Sequence, residues 1–185
     1  MHLIRKIKKC IERLSKMIET NRLFLREVNI DDASAIFNNW ASDKEVTKYL
    51  TWNYHENIET TKEILNIWVN EYKIKKVFRY GIVLKQTNEL IGMIDVPGYD
   101  DGNPHIGYCL SRKYWNNGYM SEALGKFIEI LFNNGFKKLL IEACEDNIAS
   151  NKVIQKFGFK FIKKEEQYFK LKDKKMIINM YELNK

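Results

Sequence analysis

The chain has 185 residues, 45% hydrophobic and 30% charged, with two prolines and nine glycines. This composition suits one compact, soluble domain with a sizeable core, and it excludes a collagenous, linker-rich or disordered chain. The formal net charge of +7 favours anionic partners, but the lysines are scattered, with local runs at Lys6–Lys9, Lys73–Arg79 and Lys170–Lys175. No base-reading helix or zinc finger stands among them, so specific nucleic-acid recognition is not expected.

Leu3, Ile4, Ile7, Ile11 and Leu14 fall on one helical stripe opposite basic side chains. The spacing predicts an amphipathic helical extension over residues 1–19, ahead of a single domain over residues 20–185. Charge interrupts the stripe too often for a membrane span or a secretory core segment. Docking onto the domain and contact with a membrane or ribosome surface are both open to such a helix. Residues 31–40 and 57–72 then read as two helical regions, the second carrying Ile58, Thr61, Ile64, Leu65 and Trp68. The loop Trp52-Asn53-Tyr54-His55 lies between them. Trp40 and Trp68 read as core anchors, whereas Trp52 is open to either a core or a groove role.

Tyr80–Leu84 and Leu90–Val96 predict strands joined by a hairpin turn at residues 85–89. Ile106–Leu110 predicts another strand, and Ala123, Leu124, Phe127, Ile128, Leu131 and Phe132 give the stripe of a long helix. A turn of Asn116, Asn117 and Gly118 before that helix gathers main-chain N–H groups at one spot. Such a device suits a phosphate or pyrophosphate, with Arg112, Lys113 and Lys126 as nearby cations. The same residues also fit a plain strand-turn-helix junction. Leu139–Ile141 form a further strand, and Ser150, Val153, Ile154 and Phe157 a further helix, with Gly158 suited to its C-terminal cap. This alternation is the skeleton of an α/β layer. Gln167–Phe169 and Met176–Tyr181 read as two last strands around a lysine-rich turn.

An odd number of cysteines, Cys10, Cys109 and Cys144, argues against a disulfide framework and for a reducing, cytoplasmic compartment. The dispersed His2, His55 and His105 give no expected metal site. Cys109 lies in an apolar strand and reads as a core or cofactor-side residue rather than a nucleophile.

Taken in order, several segments resemble the GCN5-related N-acetyltransferase (GNAT) superfamily: Thr20-Asn21-Arg22-Leu23-Phe24-Leu25-Arg26, Asp31-Asp32-Ala33, Trp40 through Leu50, Trp52 with His55, the glycine turn with Glu122-Ala123, and Asn147 through Phe159. Within it they are similar to the branch that acetylates the N-terminal alanine or serine of ribosomal proteins. The likeness is nearly full length from about Thr20 onward. It implies an α/β fold whose central mixed sheet is strongly twisted, splayed and flanked by helices. It also implies direct transfer of acetyl from acetyl-coenzyme A (acetyl-CoA) to a primary amine, without a metal, by a monomer or homodimer. A protein or peptide N-terminal amine is the expected acceptor. A small-molecule amine is the alternative, and a noncatalytic ribosome- or RNA-associated protein is the third reading.

The same resemblance places Trp115, Asn116, Asn117, Gly118, Tyr119 and Met120 over the pyrophosphate loop. The family pattern there is Arg or Gln, two variable residues, Gly, one variable residue, then Gly or Ala. Trp115 takes the first position and Gly118 matches, while Met120 replaces the small last residue and Asn116 stands where this branch often has another glycine. Cys109, Leu110 and Ser111 would end the strand that meets the pantetheine arm, with the N–H near Leu110 polarising the thioester oxygen. Asn147, Ser150 and Asn151 would lie near the thioester, although Asn147 is equally an ordinary helix cap. Ser150 leads as the group that protonates the departing thiolate, and Tyr168 follows. Relatives often carry a glutamate just before the Ile-Gly-Tyr strand, where this chain has His105, whose reference pKa of about 6.5 suits a base near neutral pH. Asp95, on the preceding strand, is the other candidate base.

Overall fold

The computed structural model describes residues 17–185, so the amphipathic stripe from Leu3 to Leu14 lies outside the described residues. Within the expected extension, Ile18–Glu19 are not helical but form a short strand, β1, that pairs with the next strand at Ile18↔Leu25 and Glu19↔Phe24. β2 (Leu23–Arg26) alternates as a half-buried strand should, with Leu23 and Leu25 turned fully into the core. A helical run follows. It opens as a 3-10 turn over Ile30–Asp32, where Asn29 and Asp32 cap each other reciprocally. It continues as α1 (Ala33–Ile36) and loosens into a π turn over Phe37–Ala41. Asp43 then caps the short α2 (Lys44–Thr47), and Asn57 caps α3 (Ile58–Ile74) by accepting from the Thr60 N–H.

The rest of the chain follows the predicted alternation: β3 (Arg79–Leu84), β4 (Glu89–Asp100), β5 (Asn103–Leu110), α4 (Tyr119–Asn133), β6 (Lys138–Cys144), α5 (Ile148–Lys156), β7 (Lys160–Phe169) and β8 (Lys174–Asn184). The eight strands make one sheet in the order β1-β2-β3-β4-β5-β6-β8-β7. Every neighbouring pair is antiparallel except β5 and β6. Helices cover both faces. On one, Phe127 and Leu131 of α4 and Ile154 of α5 pack against Ile82, Ile91, Ile94 and Ile141. On the other, Trp40 and Leu65 pack against Val83, Leu90 and Met93. Trp40 is thus a core anchor.

The parallel pair positions the site. β5 and β6 are in register only at His105↔Leu140 and Ile106↔Ile141, although β5 continues to Leu110 and β6 to Cys144. Beyond Ile106 they diverge, and the sheet opens into a wedge that the flanking helices do not fill. Each outer arm is held by its other neighbour, β5 by β4 from Gly92↔Leu110 to Asp95↔Gly107, and β6 by β8 along its whole length.

Candidate active site

Ladder geometry decides which main-chain groups face the wedge. The Ser111 N–H donates to the Ile91 carbonyl, 2.8 Å away, just past the Gly92↔Leu110 pair. Alternation along an antiparallel strand therefore turns the N–H groups of Cys109 and Ser111 toward β4, and those of Tyr108 and Leu110 into the wedge. Of the three main-chain positions expected to meet the pantetheine arm, Leu110 alone presents its N–H there. Its carbonyl accepts from the Trp115 indole at 2.8 Å, which ties the following loop to the strand end.

That loop has the shape an anion requires. A 3-10 turn at Arg112–Tyr114 leads to Asn116 at φ 61° and Gly118 at φ 76°, the latter at the N-cap of α4. Two left-handed positions in three residues suit glycine, and asparagine is among the side chains that tolerate that conformation. Tyr119 and Met120 begin the first helical turn, whose N–H groups have no intrahelical partner. Met120 turns its side chain into the core, 7% exposed, so its size does not crowd the helix end. Asn117 folds its amide onto the Trp115 carbonyl at 2.8 Å. The expected cations are engaged elsewhere: Arg112 with Asp43, Lys113 with Glu89 and Lys126 with Glu129.

On the far arm, Asn147 caps α5 by accepting from the Ser150 N–H at 3.2 Å. Asn151 is buried and fully committed to structure. Its amide donates to the carbonyls of Cys144 and Asn147, and its oxygen accepts from Asn179 and Tyr181. It shapes the wedge and has no polar group left for a ligand. Ser150 differs, since its hydroxyl lies 2.8 Å from the Tyr108 phenol across the wedge. Burial pushes that phenol up to about 12, so it stays protonated and able to donate. Sequence reasoning took Tyr108 only as a strand residue; its place two positions before Leu110, on the same face of β5, was the signal. Tyr168 is not brought to the site: it is 57% exposed on the outermost strand and donates to Asp173 within its own hairpin.

A cavity of 490 Å³ joins the wedge to a chamber on the opposite face of β5. Its wedge side includes Tyr108, Asn147 and Ser150, and its chamber side Trp40, Trp52, His55, Trp68, Arg79, Asp95, His105 and Cys109. Both candidate bases therefore reach it. Asp95 lies opposite Gly107, where a Cβ would come within 3.2 Å of the carboxylate, so glycine leaves that carboxylate room against β5. Burial pushes the Asp95 carboxyl up to about 6, opposed by Arg79, whose Nε stands 3.3 Å away. Arg79 is itself buried, stacked over Trp68 at 4.9 Å and bonded to Glu71 at 2.7 Å. This arginine, just ahead of the predicted strand, was not singled out in the sequence. His105 is 3.6 Å from Glu142 on β6. His55 bonds Thr61 of α3 at 2.7 Å, and burial lowers its pKa. Burial pushes the Cys109 thiol up to about 12, which removes it as a nucleophile. Lys172 donates to the Thr47 carbonyl at 2.8 Å and Asn53 to that of Leu171, which joins the β7–β8 turn and the loop after α2 into one chamber wall.

An opened parallel strand pair, a free helix N-terminus beside it and a chamber behind it define an enzyme that binds an extended cosubstrate bearing phosphates. A family model of the acetyltransferase (GNAT) domain matches residues 22–160, and the chain belongs to that family. It is an acetyl-CoA-dependent N-acetyltransferase. The uncharacterized N-acetyltransferase YoaA of Bacillus subtilis is 34% identical over 146 residues, spanning 77% of this chain and 82% of its own length. The uncharacterized N-acetyltransferase p20 of Bacillus licheniformis is 29% identical over 173 residues, spanning 90% and 94%. Among solved structures, the acetyl transferase from Salmonella typhimurium that modifies the N-terminal serine of 50S ribosomal subunit protein L7/L12 has a TM-score of 0.80 at 21% identity, covering 91% of this chain and 99% of that one. The residues present fit acetyl-CoA, since the unpaired main chain of β5 and the first turn of α4 offer donors for amide and phosphate oxygens. Among the described residues, no group of His, Cys, Asp or Glu is placed to hold a metal ion. No described helix is long and apolar enough to cross a membrane.

Proposed function

We propose that the acceptor is the N-terminal α-amine of a protein or peptide. Asp95 carries this reading. Its carboxylate faces the chamber and titrates at about 6. A terminal α-amine, at about 7.7–8.0, lies roughly two units above such a base, whereas a lysine ε-amine lies about four units above it. Deprotonating the α-amine is easier by roughly a few hundredfold, and the aromatic chamber walls lower the amine's pKa further by desolvation. Protein termini of the ribosome are the first to test, since the Salmonella enzyme acts on one and this chain's charge of +7 complements an acidic partner.

Acetyl-CoA supplies an activated acetyl thioester. In this reading Asp95 accepts the amine proton, with His105 beside Glu142 as the second acceptor on the chamber wall. The Leu110 N–H polarises the thioester oxygen. Ser150 donates a proton to the departing sulfur and recovers one through the Tyr108 phenol at 2.8 Å, which is reprotonated from solvent as Asp95 releases the amine proton to it. Proton acceptor and donor stand on opposite faces of β5, so neither neutralises the other. A compact small-molecule amine is the second reading, favoured by the 490 Å³ volume, which the thioester end must share.

Thiol release from acetyl-CoA separates the two. Peptides beginning with Ala or Ser, the same peptides with blocked termini, polyamines and free amino acids are compared at equal concentration. The proposal expects release with free-terminus peptides and none with their blocked forms. A higher kcat/KM for a polyamine or amino acid would overturn it.

A further inference from the structure

The carboxylate of Glu122 sits in the first turn of α4, at the helix end that must receive a diphosphate. An uncompensated negative charge there would oppose the ligand. Three donors from one short segment of β1–β2 converge on it instead. The Thr20 hydroxyl and the Arg22 main-chain N–H each lie 2.6 Å from Oε1, and Arg22 Nε lies 2.7 Å from Oε2. The same guanidinium extends past the glutamate: its Nη1 donates to the Asn117 carbonyl at 3.0 Å, and its carbon lies 4.4 Å from the Tyr119 ring centroid.

The bond to Asn117 has a geometric consequence. In a trans peptide the carbonyl and the following N–H point in opposite directions. Holding the Asn117 oxygen toward Arg22 therefore turns the Gly118 N–H away from the guanidinium and leaves it free for a ligand at the helix N-terminus. Gly118, at φ 76°, has the backbone freedom to be set either way, and nothing in its own side chain fixes the choice.

We infer that Arg22 is a positioning residue for the diphosphate of coenzyme A, acting through the Asn117–Gly118 peptide and by neutralising Glu122. Only arginine offers two donors in a rigid fork that reaches both acceptors at once; a lysine ammonium keeps the charge but cannot span them. The inference holds whatever the acceptor amine is.

Titration calorimetry tests it with two probes: coenzyme A, and S-acetylpantetheine, which carries the arm and thioester without the diphosphate. Arg22→Met keeps an unbranched side chain and removes both guanidinium bonds, and Arg22→Lys replaces it should the first variant fail to fold. The Kd for coenzyme A should rise about tenfold, and that for S-acetylpantetheine by less than about twofold. Adding Glu122→Gln to Arg22→Met should recover part of the lost coenzyme A affinity, because the unneutralised charge is then gone. A parallel loss for both probes would show a merely structural role and overturn the inference, as would an unchanged Kd for coenzyme A. Absence of rescue would overturn the part assigned to Glu122.

Discussion

Asp95 is the residue on which the chemistry and the stability of the site meet. Its carboxyl is raised from 3.8 to about 6, chiefly by burial. Between those values the folded state holds a proton that the unfolded state has released, so stability falls as pH rises through the window. The burden at neutral pH is on the order of 3 kcal/mol, borne by a side chain only 14% exposed. Asp95→Asn removes that titration. Whatever constant offset follows from losing the Arg79 contact, the melting temperature of the variant relative to the parent should move upward from about pH 4 to about pH 7. Acetyl transfer should fall about 10² to 10⁴-fold, and the rise in kcat/KM through about pH 6 should disappear. A variant that keeps both rate and pH profile would assign the base to His105. Ser150→Ala and Tyr108→Phe should each lower kcat by roughly tenfold or more, and the double variant should lose little beyond the worse single one, because one proton path runs through both. Additive losses in a double-mutant cycle would separate them.

At the scale of elements, the strands and helices were largely legible because their signals are local. The stripe from Ala123 to Phe132 and the apolar run Ile106–Leu110 read directly as α4 and β5, since periodicity reports the buried face. The turn at Asn116, Asn117 and Gly118 was legible as a turn from its residue types. What escaped were contacts made between elements far apart in the chain. Tyr108 meets Ser150 across 42 residues, and Arg79 joins Glu71 of α3 to Asp95 of β4. No spacing rule announces either. Asn151 and Tyr168 show the converse. The family resemblance made them ligand or catalytic candidates, yet Asn151 is consumed as a junction of β6, α5 and β8, and Tyr168 turns outward from the edge strand. Asn151→Ala should therefore lower stability by about 2 kcal/mol through the unsatisfied carbonyls and hydroxyl it leaves buried, measurable as a lower urea midpoint. If instead stability is kept and coenzyme A affinity alone is lost, the residue is a ligand contact after all.

At the scale of the whole molecule, the sheet opens between its two parallel strands, and the chain as a whole carries a net charge of +7. Acetyl-CoA is strongly anionic, so its KM should rise severalfold from about 0.05 to about 0.5 M salt as screening shortens the field, whereas the KM of an uncharged acceptor should change less. The most direct test of the central claim uses one peptide that carries both a free α-amine on Ser or Ala and an internal lysine. The enzyme and acetyl-CoA act on it at neutral pH, and fragmentation mass spectrometry locates the added acetyl group. The account predicts a single acetyl on the α-amine with one coenzyme A released per transfer. Acetyl on the lysine, or transfer only to a small amine supplied alongside, would contradict it.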